Sequence, residues 1–131
     1  MKLLLDTHIA LWSLSDNKRL SRRARTLVSD SRNKIFVSAA SIWEISVKHS
    51  QGRKHGRAIV IPGREALKLF QESGFEVLVV TADHAAAVDD LPTLHGDPFD
   101  RLIVAQALSE PLRLVTHDEK LSAYSDSILL V

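Results

Sequence analysis

Carboxylates that follow short apolar runs are the residues of this 131-residue chain best placed to do chemistry. Leu3-Leu4-Leu5 ends abruptly on Asp6, and Leu112-Arg113-Leu114-Val115 gives way to Thr116-His117-Asp118. Glu44 lies in a helical stretch that follows Ile35-Phe36-Val37, and Asp100 falls in the first turn of a helix opened by Pro98. Ligands of open parallel sheets bind just outside the carboxyl ends of the strands. In a right-handed β-α-β arrangement, the first turn of the Pro98 helix lies on that same edge. Asp6, Glu44, Asp100 and Asp118 are therefore expected to converge on one rim. Carboxylates crowded without a counter-charge repel, and some take up protons. A divalent cation removes the conflict, and oxygen-only ligation selects Mg²⁺ or Mn²⁺ over zinc. Such an ion clamps phosphodiester oxygens, lowers the pKa of a bound water and steadies the leaving oxygen. The chemistry implied is metal-dependent phosphodiester hydrolysis.

Each acid also has a purely structural explanation. Asp6 could start a turn. Ser41-Ile42-Trp43-Glu44 matches a Ser-x-x-Glu capping box, although the helix is expected to begin before Ser41. Asp97-Pro98-Phe99-Asp100 suits a helix start, with Asp97 as the cap. Thr116 and Glu119 can form a capping box that leaves Asp118 free for a separate role. The case rests on the four together.

The elements that must position these acids alternate. Apolar or β-branched runs at Leu3–Leu5, Ile35–Val37, Phe75–Val80 and Leu112–Val115 read as strands, with a last extended run from Ile128 to Val131. Helices are expected over Ile9–Leu14, Ser21–Ser31, Ser38–Lys48, Arg64–Ser73, Ala82–Asp90 with Thr81 as cap, Pro98 to about Ser109, and Asp118 to about Ala123. Gly74 suits a helix C-terminus. Ser50–Gly56 reads as an exposed basic loop, Ile59-Val60-Ile61 as a short extended piece closed by Pro62, and Leu91–Asp97 as a loop. Strands alternating with helices specify an α/β domain around a parallel sheet, and residues 1–131 are expected to form one domain.

Composition narrows the classes. At 45% hydrophobic and 25% charged, the chain has the make-up of an ordinary globular protein. The absence of cysteine excludes disulfides, thiol catalysis and Cys-based zinc sites, and is compatible with the reducing cytoplasm expected for it. No run approaches the roughly twenty apolar residues of a membrane helix. A formal net charge of +1 means that any attraction to nucleic acid must come from charge distribution.

With these residues assembled, the chain resembles the PIN-domain ribonucleases of the VapC toxin family. The matching blocks are Leu4-Leu5-Asp6-Thr7-His8, Ser41-Ile42-Trp43-Glu44-Ile45, Asp97-Pro98-Phe99-Asp100-Arg101-Leu102-Ile103-Val104-Ala105-Gln106-Ala107 and Leu114-Val115-Thr116-His117-Asp118, in the family order. The resemblance implies a three-layer α/β/α fold with a central parallel sheet and a Mg²⁺- or Mn²⁺-dependent endoribonuclease acting as the toxin of a type II toxin–antitoxin pair. It implies an acidic site of Asp6, Glu44, Asp100 and Asp118, with the metal held mainly by Asp6 and Asp100. Thr116 matches a position where a hydroxyl lines the site. A homodimer and a small VapB-like antitoxin are further expectations of the family, beside the RNA substrate.

Other residues remain open. Lys18, Arg19, Arg22, Arg23 and Arg25 form one basic cluster, better explained as a solvated surface. Lys48, His49, Arg53, Lys54, His55 and Arg57 form a second that could contact RNA phosphates. Trp12 and Trp43 look like core or interface residues. His8 and His117 each neighbour a site acid, and the histidines show no metal-binding spacing. Arg101 could contact phosphate or the antitoxin, or make a structural ion pair. Two rivals are a PIN-type nuclease of RNA processing or flap cleavage, for whose extra domains this chain has no room, and a non-catalytic PIN-fold module binding RNA or its operator, which loss of an acid would favour. A phosphoryl-transfer protein with a nucleophilic aspartate would need Asp-x-Asp where Asp6-Thr7-His8 stands.

Overall fold

The computed structural model describes residues 1–15, 17–55 and 61–131, with backbone alone at 53–55. Among them, β1 (Lys2–Leu5), β2 (Lys34–Ser38), β3 (Glu76–Leu78), β4 (Arg113–Thr116) and β5 (Leu129–Leu130) form one sheet in the order β3-β2-β1-β4-β5. Every pairing is parallel, with Leu4 opposite Phe36 on one side and Leu114 on the other. The helices are α1 (Thr7–Ser13), α2 (Arg22–Ser29), α3 (Ala39–His55), α4 (Gly63–Glu72), α5 (Ala82–Ala87), α6 (Pro98–Ser109) and α7 (Glu119–Ser122), and a 3-10 turn at Val88–Asp90 follows α5.

Strand periodicity explains the layers. Successive side chains point to opposite faces, so Leu3 and Leu5 join one core with Ile9, Val37, Ile45, Phe70 and Val115. Leu4 joins a second core with Ile103, Val104, Leu114 and Leu121. Both faces are covered, and for that reason β1 is apolar at three successive positions rather than alternating. The expected three-layer α/β/α arrangement is the one observed. No helix among the described residues is long and apolar enough to cross a membrane.

Three expectations are corrected. Residues 50–56 do not form a loop up to His55, because α3 runs on through that stretch with Gly52 buried inside it. Lys48, His49 and Gln51 are ordinary helix residues, and one interior glycine costs only about 1 kcal/mol. Gly56, Arg57 and the Ile59-Val60 pair lie outside the described residues. The helix from Ala82 ends at Ala87 and tightens into the 3-10 turn, and β3 is shorter than its apolar run.

Helices α3 and α4 lie close together. Gly74 adopts a left-handed φ of 82° after α4, while the Phe75 amide reaches the Phe70 carbonyl at 3.0 Å and the Gly74 amide the Gln71 carbonyl at 3.1 Å. This is a Schellman closure, sealed by contact between the Phe70 and Phe75 rings. At the other end of α4, a Cβ on Gly63 would meet Ser46 Oγ at 1.7 Å, Ser46 Cβ at 2.9 Å and the Ile42 carbonyl oxygen at 3.2 Å. Glycine therefore sets how near α4 lies to α3, the helix that carries Glu44. Gly63→Ala is expected to lower the stability of the domain by about 1–3 kcal/mol through overpacking, read as an earlier urea or thermal unfolding midpoint.

Candidate active site

Asp6 follows the last residue of β1 and caps α1, accepting the Ile9 amide on Oδ1 at 2.8 Å. Its Oδ2 accepts the Thr116 hydroxyl at 2.5 Å, and His117 Nδ1 stands 3.8 Å away. At 3% exposure the carboxylate has almost no water, and burial pushes it above the ordinary range. The bonds from Thr116 and the Ile9 amide, and the charges of His117 and His8, only partly oppose that rise. Thr116 also accepts the Asp118 amide at 3.0 Å. One buried hydroxyl therefore joins the end of β1 to the end of β4.

Glu44 is on the inward face of α3 and is 2% exposed. The Thr7 hydroxyl donates to its Oε1 at 2.6 Å and lies 3.0 Å from the Ser41 hydroxyl. Lys48, one turn further along α3, donates to Oε2 at 2.5 Å. Burial works against the Lys48 ammonium, but the bond and charge of Glu44, with the charges of Asp97 and Asp100, more than offset it and raise its pKa. Lys48 is thus occupied within the site rather than projecting from a basic loop. Ser41 and Glu44 form no capping box, since both lie inside α3.

Asp97 is the cap of α6, as its sequence context predicts, and its Oδ1 accepts the Phe99 and Asp100 amides at 2.9 and 3.3 Å. Asp100 sits one turn into the helix with its carboxylate facing the rim. Arg101 donates to the carbonyls of Val88 at 3.2 Å and Leu91 at 3.3 Å. Its role is to tie the 3-10 turn and the following loop to α6, through carbonyls rather than a carboxylate.

The expected Thr116–Glu119 capping box is overturned. The cap of α7 is Asp118, whose Oδ1 accepts the Lys120 amide at 2.9 Å. Thr116 lies two residues short of the cap, and its hydroxyl proton is committed to Asp6. The other Asp118 oxygen, Oδ2, lies 3.0 Å from His95 Nε2. His95 also approaches Asp100 Oδ2 at 3.6 Å, and single ligand atoms of His95, Asp100 and Asp118 all lie within 4.8 Å of one another.

His95, Thr7 and Ser41 are site residues that sequence reasoning missed. Thr7 reaches Glu44 only through the fold, whereas Ser41 lies one turn before Glu44 on α3 and meets the same Thr7 hydroxyl. For His95 the sole signal was a histidine just ahead of the Asp97 cap. Trp43 does not belong to the core: it is 59% exposed and packs edgewise on Phe99 with ring centres 4.9 Å apart. Trp12 is half-buried, and its ring meets those of His8 at 5.6 Å and His117 at 4.8 Å.

Comparison with known proteins agrees with this architecture. The PIN domain family matches residues 3–126. Ribonuclease VapC22 of Mycobacterium tuberculosis is 32% identical over 121 residues, covering 92% of this chain and 90% of that protein. Among solved structures, VapBC2 from Rickettsia felis, bound to a DNA fragment from its promoter, superposes with a TM-score of 0.68 at 21% identity, over 100% of this chain and 98% of its counterpart. A toxin–antitoxin complex from Klebsiella pneumoniae gives 0.63 at 22% identity, over 97% and 95%.

The charges at the rim are not balanced. Burial, and then the charges of Asp97, Glu44 and Asp6, push Asp100 up to about 7, with His95 opposing only weakly. Asp118 differs: burial pushes it up, but the hydrogen bonds from the Lys120 amide and from His95 win and hold it below the usual carboxylate range. For Asp100 the folded chain binds the proton more tightly than the unfolded one. Its contribution to stability is therefore present below the unfolded value of 3.8 and is lost as pH rises towards about 7. In EDTA, Asp100→Asn is expected to be more stable than the parent at pH 8 by about 1–2 kcal/mol, after allowance for solvent screening of a partly exposed group. The advantage should vanish near pH 4, as measured by urea unfolding at both pH values.

Proposed function

The chain belongs to the PIN-domain family, among the VapC ribonucleases, and we propose that it is a Mg²⁺- or Mn²⁺-dependent endoribonuclease acting as the toxin of a toxin–antitoxin pair. The observation that carries this reading is the crowding of acids at the rim: ligand atoms of Asp100, Asp118 and His95 lie within 4.8 Å of one another, and the charges of Asp97, Glu44 and Asp6 bear on Asp100 and raise it. Lys48 is too little positive charge for that group of acids, and a hard divalent cation fits a rim built mainly of carboxylate oxygen. Asp6 and Asp100 would hold the ion, with Glu44 and Asp118 completing the set directly or through water. When bound, such an ion polarises a phosphodiester oxygen and lowers the pKa of a bound water towards neutrality.

The chain's own groups prepare the rim for that role. Thr116 and the Ile9 amide fix both oxygens of Asp6, so the carboxylate keeps one orientation. Thr7 and Lys48 do the same for Glu44. Asp97 spends its carboxylate on the helix start and thereby sets where Asp100 points. The substrate is RNA, the partner is an antitoxin, by likeness to the toxin–antitoxin complex from Klebsiella pneumoniae, and the reading includes a second copy of the chain. The setting is the cytoplasm.

Purified protein freed of antitoxin is expected to cut structured RNA in Mg²⁺ or Mn²⁺ and to stop in EDTA. Asp6→Asn and Asp100→Asn should each lower the cleavage rate by more than about 100-fold, the loss typical of groups that merely support a ligand. Circular dichroism should show an intact fold in both variants. Cutting that survives EDTA, or full activity in Asp6→Asn, would exclude the metal-dependent reading.

A further inference from the structure

His95 has the position of a metal ligand and the hydrogen bonds of something else. Its Nδ1 accepts the backbone amide of Asp97 at 3.0 Å, so the lone pair there is used and the proton of the neutral ring sits on Nε2. Nε2 then donates to Asp118 Oδ2 at 3.0 Å. The 3.6 Å approach to Asp100 is too long for a second bond. Ligation through Nε2 would require the proton to move to Nδ1. There it would oppose the Asp97 amide and leave a part-buried backbone donor without its acceptor.

The segment that carries this ring is clamped to α7 at both ends. The Tyr124 hydroxyl, just past the end of α7, accepts the Leu94 amide at 3.2 Å and the His95 amide at 3.0 Å. Asp118, at the start of α7, accepts from the ring. The Asp97 amide that fixes the tautomer belongs to the residue capping α6, the helix that carries Asp100. A single imidazole therefore links the start of α6 to the start of α7. Asp118 needs this support: it caps a helix of only four residues, and the Lys120 amide bonds just one of its oxygens.

We propose that His95 is a positioning residue that holds Asp118 across from Asp100 through its Nε2–H, and that it is not itself a ligand of the ion. The proposal rests on the metal-dependent reading above. The test is calorimetric titration of Mg²⁺ and of Mn²⁺ into the wild type, His95→Ala and His95→Gln, with circular dichroism as the check on folding. His95→Ala should weaken both ions by about 10-fold or more and by the same factor, as loss of a ligand's hydrogen-bond partner does. His95→Gln, which keeps an N–H donor at similar reach, should stay within about threefold of the wild type. Should His95→Ala not fold, His95→Asn takes its place, because its amide is too short to reach Asp118 and should weaken binding likewise. A loss much larger for Mn²⁺ than for Mg²⁺ would overturn the proposal by making the imidazole a ligand, since nitrogen donors favour the transition metal. Unchanged affinities, or no rescue by glutamine, would overturn it too. A wild-type protein that binds neither ion would instead remove the metal-dependent reading, and the role of His95 with it.

Discussion

The hydrogen bond from Thr116 to Asp6 is made at the one place where the sheet reverses its winding. The chain lays β2 and then β3 to one side of β1 and afterwards returns to the other side with β4 and β5. Connections from β1 and β4 therefore leave in opposite directions, and a crevice opens between their carboxyl ends. Asp6 and Thr116 stand at those ends, with the Asp6 amide bonded to the Val115 carbonyl at 3.0 Å. Asp6 is thus located by the central strand β1, whose Leu3, Leu4 and Leu5 are fully buried.

A carboxylate in that crevice is costly, and the structure distributes the cost unevenly. Glu44 has a neighbouring ammonium and a hydroxyl, and both of its oxygens are bonded. Asp118 has an amide and an imidazole and stays readily ionised. Among the described residues Asp100 has no comparable donor, and it accumulates the repulsion of the rest. Nothing in the two cores requires an acid at this point, since α6 packs through Ile103, Val104 and Ala107. An unfavourable charge held on a rigid helix, where packing would be satisfied without it, is characteristic of a functional position.

The fold was legible because burial on both faces forces continuous apolar strands, and Leu3–Leu5, Ile35–Val37 and Leu112–Val115 could have few other fates. The acids were legible for the same reason, since each stands at a predictable distance from a strand end or helix start. Two kinds of feature were not. Polarity misled at residues 50–55, where helix-forming side chains outweighed one glycine and the look of a loop. Local pattern misled at Thr116: its spacing to Glu119 fits a capping box, yet a partner 110 residues away in sequence takes the hydroxyl proton. His95 was invisible for a related reason, because its meaning lies in contacts with Asp118 and Tyr124, more than twenty residues further on.

The basic residues show how charge in a sequence differs from charge available to a ligand. Arg23 donates to the Leu130 carbonyl, and Arg25 to those of Asn17 and Leu20, so these members of the first cluster join α2 to its surroundings. Lys48, in the second cluster, is bound to Glu44. Without an ion, the rim therefore presents mainly carboxylates and would repel a phosphodiester rather than attract one. In the metal-dependent reading, the ion reverses that sign at the point where the phosphate must come to rest. In that reading the four acids bear on binding as well as on chemistry.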